Sequence, residues 1–136
     1  MSDITFMNVD LEVESPNPLD VLIEDLGEDV LVLHNSQARG LHTAAFEVSY
    51  GGGDAESSLS LFCTLIENLS PKAKAVWDAC ISRTFDLGYG SGDTPRNFRS
   101  IIHPDTVARI AKLNAVLVVT IYPVWEKDQD PSSPDN

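Results

Sequence analysis

The stretch from Met7 to Glu14, Met-Asn-Val-Asp-Leu-Glu-Val-Glu, alternates apolar and polar residues without an exception. That is the pattern of a strand buried on one face. Met7, Val9, Leu11 and Val13 are expected to face a core, and Asn8, Asp10, Glu12 and Glu14 to face away from it. The polar row carries three carboxylates and opens a longer run, because no Lys or Arg occurs before Arg39.

Working outward, the distribution of charge matters more than its total of −12. Residues 1–38 hold nine acids and no Lys or Arg, residues 39–125 hold eight acids and eight bases, and residues 126–136 hold four acids against Lys127. The excess therefore sits at the two ends. Nucleic-acid affinity comes from neutralising phosphates with Lys and Arg, so this balance argues against a nucleic-acid partner. It argues equally against an anionic membrane surface. A basic protein partner or a cation fits it better, and solubility alone explains the acids equally well.

A chain of 136 residues suits one domain with one core. With 43% hydrophobic and 22% charged residues it falls in the globular range, which excludes wholesale disorder. Residues 1–125 are expected to form a single domain, and 126–136, built of Asp, Ser, Pro, Lys, Gln and Asn after Glu126, an acidic disordered tail. The start Met-Ser-Asp-Ile lacks a basic, then apolar leader, and no run approaches the roughly 18–20 apolar residues of a membrane helix. The cytoplasm is the expected compartment. Cys63 and Cys80 are too few for a disulfide framework and read as reduced core residues.

After the first strand, Asn17 and Pro18 read as the N-cap and first position of a helix carrying Leu19, Leu22, Ile23 and Leu26 and stopped by Gly27. Val30 to Leu33 reads as a short strand buried on both faces, His34 to Leu41 as a loop, and Thr43 to Tyr50 as a strand with Ala44, Phe46, Val48 and Tyr50 on one face. Asp54 caps a helix to about Leu69 with Leu59, Phe62, Cys63, Ile66 and Leu69 inward. Ser70 and Pro71 start another, expected to bury Val76, Ala79 and Cys80 with Trp77 at its edge. Arg83 to Tyr89 alternates as a strand and is followed by a glycine-containing loop over 88–98. His103-Pro104-Asp105 opens a last helix carrying Val107, Ile110, Ala111 and Leu113. Ala115 to Tyr122, the most hydrophobic segment and rich in β-branched residues, is expected to be a central strand. The order β-α-β-β-α-α-β-α-β points to an α+β two-layer sandwich: a mixed or mainly antiparallel sheet with helices on one face, ferredoxin-like with an added helix.

No motif selects a reaction. Gly88-Tyr89-Gly90-Ser91-Gly92-Asp93 lacks the third glycine of a dinucleotide loop and the Lys-Ser/Thr ending of a P-loop, so it reads as a surface loop. Gly51-Gly52-Gly53 reads as a turn, because Asp54 and Glu56 would repel an anion there. His34, His42 and His103 are scattered, and Asp10, Glu12 and Glu14 lack calcium-loop geometry, so no metal or cofactor is expected. No Gly-x-Ser-x-Gly elbow occurs, and the cysteines fall on apolar helix faces. Arg83 and Asp86 read as a structural pair or, with Tyr89, Arg96 and Arg99, as a partner-holding cluster. Tyr122 and Trp125 read as core-edge cover or interface anchors.

The segment Ser58 to Tyr122 carries a long helix ending Leu-Ser-Pro-Lys-Ala, then Phe85-Asp86-Leu87-Gly88-Tyr89, then a helix and Ala115-Val-Leu-Val-Val-Thr-Ile-Tyr122. It resembles a bacterial domain-of-unknown-function family of small cytoplasmic proteins, some of which look like immunity proteins encoded beside secreted toxins. The resemblance implies a non-catalytic binding protein that neutralises a toxin domain. Toxic nucleases are often basic, so Asp10, Glu12, Glu14, Asp20, Glu24 and Asp25 are the expected partner contacts. The alternative is a small enzyme or ligand-binding domain with a pocket near the loop 88–98. Whether the chain is a monomer or a homodimer is undecided by the sequence.

Overall fold

The alternation in the first strand is realised at the centre of a sheet. In the computed structural model, which describes residues 2–124, β1 (Thr5–Ser15) lies antiparallel between β3 (Leu41–Val48) and β4 (Ser82–Gly90). Leu11 is opposite Phe46 on one side and Phe85 on the other, and Val13 is opposite Ala44. β2 (Val30–Ala38) pairs antiparallel with β3, and β5 (Val116–Tyr122) pairs parallel with β4. The sheet order is β2-β3-β1-β4-β5. The first four strands have the order and antiparallel pairing of a ferredoxin-like sheet, and β5 is an addition at one edge.

Four helices cover one face: α1 (Asp20–Leu26), α2 (Ala55–Glu67), α3 (Pro71–Ala79) and α4 (Pro104–Lys112). The core between the layers unites Val9, Leu11, Val13, Phe46, Phe85 and Leu87 of the sheet with Leu22, Leu59, Phe62, Ile66 and Trp77 of the helices. The architecture is α+β in two layers, in the expected order of elements.

Local chemistry accounts for the helix starts. Asp54 caps α2 by accepting from the Ser57 amide at 2.7 Å, and Ser70 caps α3 by accepting from Ala73 at 3.2 Å, with Pro71 in the first turn. The first helix differs from expectation. It begins at Asp20 with no side-chain cap, because Asn17 is held outside it by its own amide bonding to Ser15 Oγ at 3.0 Å.

Several apolar residues are not where the sequence pattern places them. A bulge between Phe6 and Asn8 inserts Met7 as an extra residue, so Phe6 takes the inward place against Tyr89 and Met7 is 55% exposed. The run Val30 to Leu33 is not buried on both faces: it starts an edge strand in which only Val30 is buried. The segment expected as a loop continues that strand to Ala38. Arg39 (φ 54) and Gly40 (φ 78) then close a tight hairpin in the left-handed region. β3 ends at Val48, leaving Tyr50 exposed. Trp77 is only 1% exposed, its indole N–H donating to the Leu113 carbonyl at 3.2 Å, whereas Ala79 is exposed. Val107 and Ala111 also face out; Ile110 and Leu113 carry the packing of α4. The largest departure is β5, an edge strand and not a central one.

The position of α4 explains why β5 stays bare. Glu56 of α2 accepts from the His103 amide (2.7 Å) and the Thr106 hydroxyl (2.6 Å) at the start of α4. At its other end Arg109 grips both oxygens of Glu67 at 2.9 and 2.8 Å and reaches Thr64 at 2.9 Å. Both clamps hold α4 on α2, so Leu117, Val119 and Ile121 on the helix side of β5 remain exposed.

Arg83 joins the layers at a third point. Its guanidinium donates to the carbonyls of Trp77 (2.9 Å), Cys80 (2.8 Å) and Asn114 (3.2 Å) and does not pair with Asp86, which lies on the opposite face of β4 and accepts from Thr120 Oγ1 at 2.7 Å. Replacing Arg83 by Ala strands the last carbonyls of α3 and is expected to cost about 2 kcal/mol. Urea unfolding measures the loss, and Arg83→Lys should restore only part of it, since an ammonium cannot span the same three carbonyls.

Candidate functional site

Helices cover one side of the sheet. Among the described residues the other side is open, and strand register dictates what stands on it. Because Leu11 is opposite Phe46 and Asp10 opposite Asp86, the outward residues Glu47, Asp10 and Asp86 form a row across β3, β1 and β4. Leu31 of β2 and Val118 of β5 extend the row at either end. Glu12 and Glu14 continue the acidic face along β1, and no Lys or Arg projects from the outward positions of the five strands.

The row is electrostatically tense. Glu47 accepts from Asn8 Nδ2 at 2.6 Å and Asp86 from Thr120 at 2.7 Å, but Asp10 Oδ1 is buried without a partner. Burial first, and then the charges of Glu47, Glu12 and Asp86, raise the Asp10 carboxyl from the usual 3.8 to about 6. Among the described residues, no group of three His, Cys, Asp or Glu side chains is arranged to hold a metal ion.

The sheet divides the six acids expected to act together. Asp10, Glu12 and Glu14 lie on the open face, whereas Asp20, Glu24 and Asp25 lie on α1 in the helix layer. Asp25 is engaged, accepting from the Ser70 amide at 2.9 Å. Glu47 and Asp86 join the open face instead. Both occupy polar positions of alternating segments, but placing them beside Asp10 requires the strand order and register.

A second feature lies on the helix side, between β4, β5 and the segment after Gly90. It is a cavity of about 460 Å³ walled by Leu87, Tyr89, Phe98, Ile102, Val119 and Ile121, with Ser91 and Ser100 as polar members. Tyr89 and Ser100 share a 2.6 Å hydrogen bond, and Phe98 meets the Tyr89 ring edge-on at 5.8 Å. The wall is pinned where it leaves β4. Ser91 donates its amide to the Tyr122 carbonyl at 2.9 Å, and Gly92 packs so close to the first residues that a Cβ there would stand 2.5 Å from the Ile4 nitrogen. The supposed loop over 88–98 thus begins only after Gly90, which closes β4. No charged side chain lines the cavity.

Cys63 and Cys80 are buried and unpaired, and burial pushes the Cys63 thiol up to about 11 and raises that of Cys80, the state of an inert core thiol. No helix among the described residues is long and apolar enough to cross a membrane.

The raised Asp10 carboxyl has a defined pH signature. Between about 4 and 6 the folded state binds more protons at this site than the unfolded state, so this group makes stability fall as pH rises through that window. Asp10→Asn is therefore expected to stabilise the protein at neutral pH by about 1 kcal/mol, after allowing for solvent screening of a half-buried group. Thermal melts at pH 7.5 and pH 4 measure it: the gain should be present at the first and shrink toward zero at the second.

The chain matches no protein-family model, no curated protein and no solved structure.

Proposed function

We propose that this chain is a non-catalytic binding protein that holds a basic protein partner against the open face of its sheet. The observation that carries the reading is the in-register set Glu47, Asp10 and Asp86, continued by Glu12 and Glu14 on a face without Lys or Arg. A partner's Lys or Arg side chains would relieve the mutual repulsion of the row. Leu31 and Val118 at the ends of the row supply apolar margin for such a contact. Asp20 and Glu24, behind the sheet, act on this reading through long-range steering and not through contact.

The resemblance of residues 58–122 to a bacterial domain-of-unknown-function family, some of whose members look like immunity proteins, suggests a more specific form. The partner is then a secreted toxin domain, basic because it grips nucleic acid, and the acidic face neutralises it by covering its active site. The test is association with the product of the neighbouring gene. Glu12→Lys with Glu14→Lys should slow association at least about tenfold at low salt, and added salt should weaken binding of the unaltered chain. Reversal of Asp20 and Glu24 should change the rate far less. Unaltered affinity after reversal on the sheet face sinks the reading.

The cavity favours a second reading, a ligand-binding domain. Its volume is within the range of small-molecule sites, and its uncharged lining suits a neutral, largely apolar molecule with one hydrogen-bonding end at Tyr89 and Ser100. With no carboxylate, His, Lys or Cys in the lining it supports binding better than catalysis. A neutral apolar fluorophore such as N-phenylnaphthylamine should then bind saturably at one site, and Ile102→Trp, which fills the space, should abolish the signal.

A further inference from the structure

We infer that two copies of this chain associate through β5, pairing it antiparallel with itself across a two-fold axis at Val119 so that two five-stranded sheets become one of ten strands. The inference is independent of the acidic face and rests on the free edge.

β5 is Val-Leu-Val-Val-Thr-Ile-Tyr, seven residues without a charge, a glycine or a proline. Among the described residues one side is paired with β4, and the other presents unpaired backbone donors and acceptors over about 23 Å. Its side chains are exposed as well, Val119 by 59% and Ile121 by 65%. The helix that leads into it cannot swing over to cover them, because Glu56 and Glu67 hold α4 on α2.

The strand is complementary to itself. A two-fold axis at Val119 sets Val116 opposite Tyr122, Leu117 opposite Ile121 and Val118 opposite Thr120, and each pair lies on one face of the joined sheet. No charge meets a charge, although each copy carries a net −12. The opposite edge does not compete. β2 is bulged between Val32 and His34 and turns polar through His34, Asn35, Ser36 and Gln37, which disfavours β5-to-β2 growth into open chains. Self-pairing of β5 closes after two copies. A contact confined to two seven-residue strands is small against the roughly 1,000 Å² of a specific interface, so the dimer is weak and concentration-dependent.

Charge gives a distinguishing sign. Two strongly acidic copies repel each other, so salt strengthens this dimer, whereas salt weakens a complex with a basic partner. Sedimentation velocity on the full chain, from low micromolar to several hundred micromolar, should show the mass climb from 14.8 kDa toward twice that value, more steeply in added salt. Val119→Lys places two ammonium groups against each other at the axis and should raise the dissociation constant at least about tenfold. Because Val119 is exposed, the variant should keep its circular dichroism and melting temperature. Val119→Cys should form an intermolecular disulfide on mild oxidation, since only residue 119 meets its own mate, while Val116→Cys should not. A monomer at every concentration, a dimer indifferent to Val119→Lys, or equal cross-linking at 116 and 119 overturns the proposal.

Discussion

Leu11, fully buried, sits between Phe46 and Phe85, and the remainder of the architecture depends on that register. β1 is paired on both sides, so a slip of one residue would turn Val9, Leu11 and Val13 to water and drive Asp10 and Glu12 into the helix layer. The same constraint that fills the core assembles the acidic row. Fixing Leu11 inward fixes Asp10 outward, and pairing with β3 and β4 brings Glu47 and Asp86 to either side of it. Core packing thus sustains a repulsive surface that the surface residues themselves would not choose.

Polar clamps matter as much as apolar contact in the helix layer. Glu56 and Glu67 draw α4 onto α2, and Arg83 ties the end of α3 to β4 and to the turn after α4. In compact α+β domains a helix entering a parallel edge strand commonly covers that strand. Here it is diverted, and the diversion leaves the cavity over Leu87 and Tyr89 and the exposed side chains of Leu117, Val119 and Ile121.

The parts legible in the sequence are those governed by local chemistry. Asp54 and Ser70 announce helix starts because capping needs only a few neighbouring residues, and alternation in β1 and β4 reports which side chains face inward. Alternation does not report which strand lies beside which. Val30 to Leu33 and Val116 to Tyr122 are apolar enough for a sheet centre, yet both stand at edges, because the hydrophobic pattern is blind to strand order and to helices docked elsewhere. Met7 was displaced by a bulge that no turn residue marks. Trp77 lies wholly inside because Leu113, distant in sequence, offers a carbonyl to its indole. Of the candidate site, Asp10, Glu12 and Glu14 were visible as a row, while Glu47 and Asp86 entered only through register.

The placement of β1 also shapes how the chain comes together during synthesis. Its partner β4 is made some seventy residues later, with Thr5 finally opposite Gly90 and Val13 opposite Arg83. Until that stretch leaves the ribosome, the central strand has at most one flank occupied. Its apolar side, Val9, Leu11 and Val13, then rests on an incomplete helix layer. Closure of such distant pairings is slow compared with helix formation. Over that interval the nine uncompensated acids of residues 1–38 add a mutual repulsion that opposes pairing between the open strands of half-made chains.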